Sequence, residues 1–481
     1  MLFNSLPFFL LVCAFVLCFF GASGLRRHGP QVVLMLVFSC VFYAWGQLAL
    51  LPLLLFSAGI NSFAAYRVAL SPGSRRWWVA GVVAFNVAVL VFFKYANLLV
   101  ETIPFLHGWV GESYEPIPLP VGISFFTFQG ISLIMDVSRE EELRKIVRAR
   151  RWPRAMLEMG TYICFFPQLV AGPIVKARTF LPQYRLVRLQ DVNLPLAARF
   201  LIIGFFFKMV VADNLKDFTV YLSEPGFGAL RAGDLVLALY GYSFQIYADF
   251  MGYSVIAVGL GLLCGYNFPQ NFRLPYLSSS FAEFWTRWHI SLSTWLREYL
   301  YIPLGGNRLG QSRTLANLMI VMLLGGLWHG AGWNYLVWGG GHGLALVAER
   351  IIMGKRKIKG RKMGMFARVV WTLFVFHVVT VLWLLFILPD FNGFISFWRE
   401  VGTRPLSVSP NIAFGVLLFS LPVVFQHLWC AAKPGPSLYD SEGIVLPDKR
   451  ISIPEAIGLG VLLAVTVVNA GTSSEFIYFQ F

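Results

Sequence analysis

Within the apolar stretch LLGGLWHGAGWNYLVWG (Leu323–Gly339) stands one imidazole, His329. An ionisable side chain at membrane depth costs a few kcal/mol and is read first as a functional group. Histidine suits one task in particular. A sugar or tyrosine hydroxyl is a poor nucleophile at neutral pH, so acyl transfer to it needs a base within hydrogen-bond reach, and a side chain with a pKa of about 6.5 meets that need. Burial favours the neutral, basic form of the imidazole.

A second histidine, His289, lies in FRLPYLSSSFAEFWTRWHISLSTWLREYLYIPLGGN (residues 272–307), where Trp285, Trp288 and Trp295 are interleaved with Glu283, Arg287, Arg297 and Glu298. At helical spacing this is amphipathic, and it is expected to lie in the membrane interface or to line a cavity. Ser278 or Ser279 with Glu283 is expected to cap its helix. A carboxylate, Asp249, falls inside another apolar run, where two roles fit equally: a satisfied acceptor at a helix break, or a member of the site. Asp249, Asn307, Trp328 and Asn334 are the candidate lining residues around the two histidines. Of the remaining histidines, His342 and His377 are expected in the core, and His28, His107 and His427 at loops or boundaries. The six cysteines (Cys13, Cys18, Cys40, Cys164, Cys264 and Cys430) have no CxxC pair and read as small core residues, not a metal site or disulfide frame.

The chain that must position these groups is a membrane chain. With 57% hydrophobic residues and only 13% charged, one soluble surface cannot cover it. At 481 residues it accommodates roughly a dozen spans of about 20 residues with short connections, and no large soluble domain. The net charge of +15 is clustered between apolar runs. That pattern reads first as cytoplasmic-loop bias and second as affinity for an anionic ligand; nucleic acid is not expected.

Taken in order, the first span (about 5–25) lacks the basic start and cleavage site of a signal peptide and ends at Arg26, Arg27 and His28, which places the N-terminus outside. The next spans carry FYAWG (42–46), end at Arg67, and begin again at Trp77. A loop with Glu101, Glu112 and Glu115 is outside, and Val121–Val137 leads into the most basic loop, Arg144 to Arg154. Tyr162–Val175 is short and interrupted by Pro167, Gly172 and Pro173, so a re-entrant element beside a cavity is expected. A span at about 194–211 follows, and 235–264 is expected to hold two helices interrupted near Asp249 and Gly252. Thr314–Trp328 is about 22 Å as helix, short of the roughly 30 Å hydrocarbon core, so His329 is expected to stop inside the membrane. Gly330 and Gly332 break the helix there, and the chain returns to Arg350 and the Lys355–Lys362 cluster. Later spans at about 367–388, 412–430 and 457–469 leave the C-terminus outside.

Read in order, FKYAN (93–97), GISFFTFQGISLIMDV (122–137), FPQLVAGPI (166–174), QIYADFMGYS (245–254), EFWTRWHISLSTWLREYLYIPLGGNR (283–308) and LWHGAGWNYLVWGGGHG (327–343) resemble the membrane-bound O-acyltransferase family. Within it they resemble the bacterial alginate O-acetyltransferase and D-alanyl-transfer branch. One departure is Val255 after GYS, where related proteins often carry Asp. The resemblance implies an all-α polytopic fold of roughly 11–13 transmembrane or re-entrant helices around a central funnel or tunnel. It describes a single domain over residues 1–481, with its core motifs at about 117–350 and an extracytoplasmic tail at 471–481. It also implies acyl transfer from a thioester, with His329 matching the near-invariant histidine and acting as general base, and His289 in a supporting or donor-positioning role. No bound cofactor or metal is expected; acetyl-CoA is the implied donor substrate, with a carrier-protein thioester as the other possibility. In the tail, Phe476, Ile477, Tyr478 and Phe479 form F-x-Y-F, which resembles a C-terminal motif of related surface-acylation systems. Two roles fit Tyr478: an acyl relay toward a periplasmic partner enzyme, or an aromatic anchor at the interface.

The expected function is therefore O-acetylation of an exported, alginate-like polysaccharide from the inner membrane, with a periplasmic polysaccharide-modifying partner and lipid as surroundings. Peptidoglycan, cellulose or teichoic-acid acylation by the same chemistry is the alternative. A transporter or flippase whose buried polar groups line a permeation path is the competing class.

Overall fold

The computed structural model describes residues 1–71, 73–111, 114–170, 172–223, 225–357, 364–432, 451–471 and 477. Every regular element among them is helical. Among the described residues, seven helical runs are long and apolar enough to cross a membrane, including Leu6–Leu25, Arg75–Thr102, Ala232–Leu263, Met365–Ile387 and Pro410–Ala432. The 42-residue run Gly29–Leu70 is broken at Gln47 (φ −147°, ψ 62°), giving helices Gly29–Gln47 and Leu51–Leu70. With the more polar helices Ile123–Arg139, Gln311–His329 and Trp333–Lys357, this is the all-α polytopic architecture that the resemblance implies.

The chain forms two compact units. One comprises Met1–Leu201, Ser254–Pro269 and the described part of Tyr439–Ser452; the other comprises Ile202–Tyr253 with the described parts of Gln270–Leu438 and Ile453–Phe481. In the first unit, helix Leu51–Leu70 is joined to Arg75–Thr102 by reciprocal amide bonds between Asn61 and Asn86 (2.8 and 3.2 Å). Apolar burial cannot distinguish a neighbouring helix from lipid, so such polar and small-residue contacts hold helices together. The short element expected at Tyr162–Val175 is broken: helix Trp152–Cys164 ends at Phe165 (ψ 114°), and a single turn, Phe166–Leu169, follows. Its backbone groups are met by side chains. Gln168 donates to the Tyr162 carbonyl (2.6 Å), Tyr162 to the Val175 carbonyl (2.8 Å), and Ser39 Oγ accepts from the Phe166 amide (3.0 Å). Irregular backbone in a buried segment persists where protein groups satisfy it in this way.

In the second unit, helices Gln311–His329 and Trp333–Lys357 form an antiparallel hairpin. Gly330 leaves the helix in an extended conformation (φ −159°, ψ 153°), which ends the first helix at His329. The two helices cross at Gly326 and Gly339, whose Cα atoms are so close that a Cβ on Gly339 would lie 2.3 Å from the Met322 carbonyl.

The expected interruption near Asp249 and Gly252 does not occur, because Ala232–Leu263 is one continuous helix of 32 residues. Gly252 serves close approach instead: a Cβ there would meet the Gly204 carbonyl at 2.9 Å and the Lys208 amide at 3.0 Å. The helix expected at 194–211 also runs further than its apolar pattern, through a π-turn at Phe206–Ala212 and on to Leu222. A 13-residue helix, Phe391–Thr403, was not anticipated.

Candidate functional site

His329 occupies the last position of its helix and is 3% exposed; His289 is fully buried. Their ring centroids are 6.3 Å apart. Trp328 packs against both, at 5.8 Å from His289 and 5.0 Å from His329. Trp338 and Phe386 complete the wall around His329, edge-on at 5.0 and 5.4 Å. The two histidines and Trp328, selected from sequence, are thus brought together in an apolar, aromatic enclosure. Such surroundings strengthen any electrostatic interaction made inside them.

His289 sits in the stretch read as amphipathic, which folds as short helices Phe281–Trp285 and Ile290–Leu296 joined by a tight turn. The residue itself has left-handed backbone (φ 45°, ψ 54°). That conformation is costly for a side chain with a Cβ, and it persists only where neighbours impose it. Asn271 supplies the imposition. Its carbonyl accepts from the Ile290 amide (2.9 Å), and its side-chain oxygen accepts from the Ser291 amide (3.2 Å) and the Ser291 hydroxyl (2.7 Å). The same oxygen lies 3.3 Å from His289 Nδ1. An oxygen already accepting from a backbone N–H is an acceptor toward the imidazole too, so the proton belongs on Nδ1 and Nε2 carries the lone pair. On the far side, the Phe250 ring stands edge-on to His289 at 4.6 Å. The cap of Phe281–Trp285 is Ser280, not Ser278 or Ser279: its Oγ accepts from the Glu283 amide (3.0 Å), while Ser279 donates to the Glu283 carboxylate.

The other candidates separate. Asp249 is a satisfied acceptor, ion-paired with Lys208 (2.8 Å) and accepting from the Ile477 amide (2.9 Å). Asn334 is buried, and its amide nitrogen donates to the Leu385 and Leu388 carbonyls (3.2 and 2.8 Å), closing the end of helix Met365–Ile387. Asn307 is exposed in the turn before helix Gln311–His329 and is not part of the aromatic enclosure. Tyr478 lies outside the described residues. His342 is fully buried as expected, with its ring 4.8 Å from Trp338. His377, expected in the core, is exposed and bonded to the Tyr240 hydroxyl, whereas His427, expected at a boundary, is buried and stacked on Tyr276 at 5.7 Å.

Two groups were missed. Lys208 stands in FFFKMVV, and the rule that singled out His329, an ionisable residue in an apolar run, selects it equally. Asn271 carries no such signal, because it is paired with His289 only through the fold.

The most basic loop, Arg144 to Arg154, is the part of the clustered charge that reads second as affinity for an anionic ligand. Much of its charge is spent internally: Arg144 and Arg148 pair with Glu141, and Arg150 and Arg154 with Glu158 (3.1 and 2.8 Å). Arg151 is exposed outside these pairs.

A model of the membrane-bound O-acyltransferase family matches residues 82–388, which include both histidines. A probable alginate O-acetylase of Azotobacter vinelandii is 34% identical over the full length of both chains. A probable alginate O-acetylase of Pseudomonas aeruginosa is 38% identical over 73% of this chain and 66% of its own. A peptidoglycan O-acetyltransferase of Helicobacter pylori is 37% identical over 67% of this chain and 64% of its own.

Proposed function

The chain belongs to the membrane-bound O-acyltransferase family as a multi-pass membrane O-acyltransferase, and from that premise we propose that it moves acetyl groups from cytoplasmic acetyl-CoA across the inner membrane for O-acetylation of an exported, alginate-like polysaccharide. The observation that carries this reading is the buried pair His289 and His329, 6.3 Å apart between ring centroids and walled by Trp328.

His329 acts as general base. It takes the proton of the acceptor hydroxyl as that oxygen attacks the thioester carbonyl carbon. The C–O bond forms, the C–S bond breaks, and the departing thiolate receives the proton from the imidazolium. His289, with its Nδ1 proton directed to Asn271, offers Nε2 as a hydrogen-bond acceptor, which suits holding an amide N–H of the donor's arm. The donor enters from the side of the basic loops, which the excess of Lys and Arg assigns to the cytoplasm, with both termini extracytoplasmic.

On the outer side, Tyr478 accepts the acetyl group and passes it to a periplasmic polysaccharide-modifying partner. Support for the polymer comes from the alginate O-acetylases above; the Helicobacter pylori relative makes peptidoglycan the second reading. Intact-protein mass spectrometry after incubation with acetyl-CoA tests the relay. An acetyl adduct on Tyr478, lost in Tyr478→Phe, is expected. No adduct, together with undiminished polymer acetylation in Tyr478→Phe, removes it.

A further inference from the structure

In the second unit, Lys208 is 1% exposed and lies between two carboxylates, Asp213 at 2.6 Å and Asp249 at 2.8 Å. The three groups sum to one formal negative charge, in surroundings where a buried carboxylate persists only when its oxygens are hydrogen-bonded. Asp249 obtains one such bond from the end of the chain: its Oδ2 accepts from the Ile477 amide at 2.9 Å.

Two further contacts bring the same segment to the same place. The π-turn at Phe206–Ala212 contains Lys208, and the Met209 carbonyl in that turn accepts from the Gly471 amide at 2.8 Å. π-Turns are concentrated at functional positions because they disturb the regular carbonyl ladder. Asn214 Nδ2 donates to the Asn469 carbonyl at 3.1 Å. The approach at Gly471 is close enough to exclude a side chain: a Cβ there would lie 2.9 Å from the Asn214 amide nitrogen. Ile477 itself is buried, 8% exposed.

We infer that the Lys208–Asp213–Asp249 cluster and its π-turn form a docking site for the chain's own C-terminal segment, gripping it at Asn469, Gly471 and Ile477. The site reads main-chain groups, the Asn469 carbonyl and the Gly471 and Ile477 amides, with Gly471 required for the close approach. Its position bears on chemistry. Asp249 is followed by Phe250, whose ring packs on His289, so the amide of Ile477 is fixed one residue from the wall of the histidine enclosure. The residue that follows Ile477 in sequence is Tyr478, and this consequence alone rests on the relay reading; the docking does not.

The test uses the full chain in detergent, with the exposed Cys13, Cys18 and Cys430 changed to alanine and Ile477→Cys as a reporter for a charged maleimide. Slow labelling is expected, accelerated roughly tenfold or more by Gly471→Val and by Asp249→Leu, since a charge-assisted bond and a steric block each shift docking by at least that factor. Gly471→Val lies outside the helices, so it remains decisive if Asp249→Leu does not fold. Equal labelling rates with and without Gly471→Val overturn the inference. Labelling needs no acyl donor, so failed docking and a missing Tyr478 adduct are separate results.

Discussion

Asn271 Oδ1 lies 3.3 Å from His289 Nδ1 and also accepts from the Ser291 amide, so a single oxygen fixes both the backbone turn and the proton of the imidazole. Removing it frees the ring to change tautomer and relaxes the left-handed backbone at His289. Asn271→Ala is expected to raise the KM for the donor and lower kcat/KM roughly tenfold, the scale of one lost hydrogen bond to the donor's arm. Asn271→Asp, which keeps the acceptor, is expected to retain more activity. Steady-state kinetics on both variants decide it; equal rates for Ala and wild type contradict the assignment.

The hairpin that ends at His329 depends on the crossing of Gly326 and Gly339. Gly339→Ala places a Cβ 2.3 Å from a main-chain oxygen, whereas Gly340→Ala meets only the Leu323 side chain at an ordinary 3.5 Å. The first is expected to cost about 2 kcal/mol or more and the second little. Thermal melts in detergent, side by side, should separate them; indistinguishable melts refute the crossing.

Asn334 tests whether a polar residue five positions after His329 is catalytic or structural. It donates to the carbonyls of Leu385 and Leu388, so Asn334→Ala leaves two buried acceptors short of a partner. A loss of about 1–3 kcal/mol in stability is expected. The turnover of the protein that remains folded should stay near wild type. A stable variant with collapsed kcat would return Asn334 to the site.

How much of this was legible in the sequence follows from the range of each interaction. The helix end at His329, the glycine break after it and the broken segment at Tyr162–Val175 all rest on local signals: helix length, Gly and Pro. Gly252 misled because a glycine in a helix has two readings, a break or a close approach. The carbonyl of Gly204, which decides between them, is 48 positions away in sequence and next to it only in the fold. Asn271 bonds across 18 residues to a histidine whose left-handed conformation no periodicity encodes. The contact of Ile477 with Asp249 spans 228 positions. Lys208 was readable, and the criterion applied to His329 would have found it.

The most direct measurement is acetyl transfer from acetyl-CoA by purified wild-type protein and His329→Ala, matched for yield and for monodispersity in detergent, together with the O-acetyl content of exported polymer in cells carrying each. The variant is expected to insert and fold while losing at least about a hundredfold in transfer, the contribution of a positioned base, and to leave the polymer unacetylated. A folded His329→Ala protein that transfers acetyl groups at the wild-type rate contradicts the account.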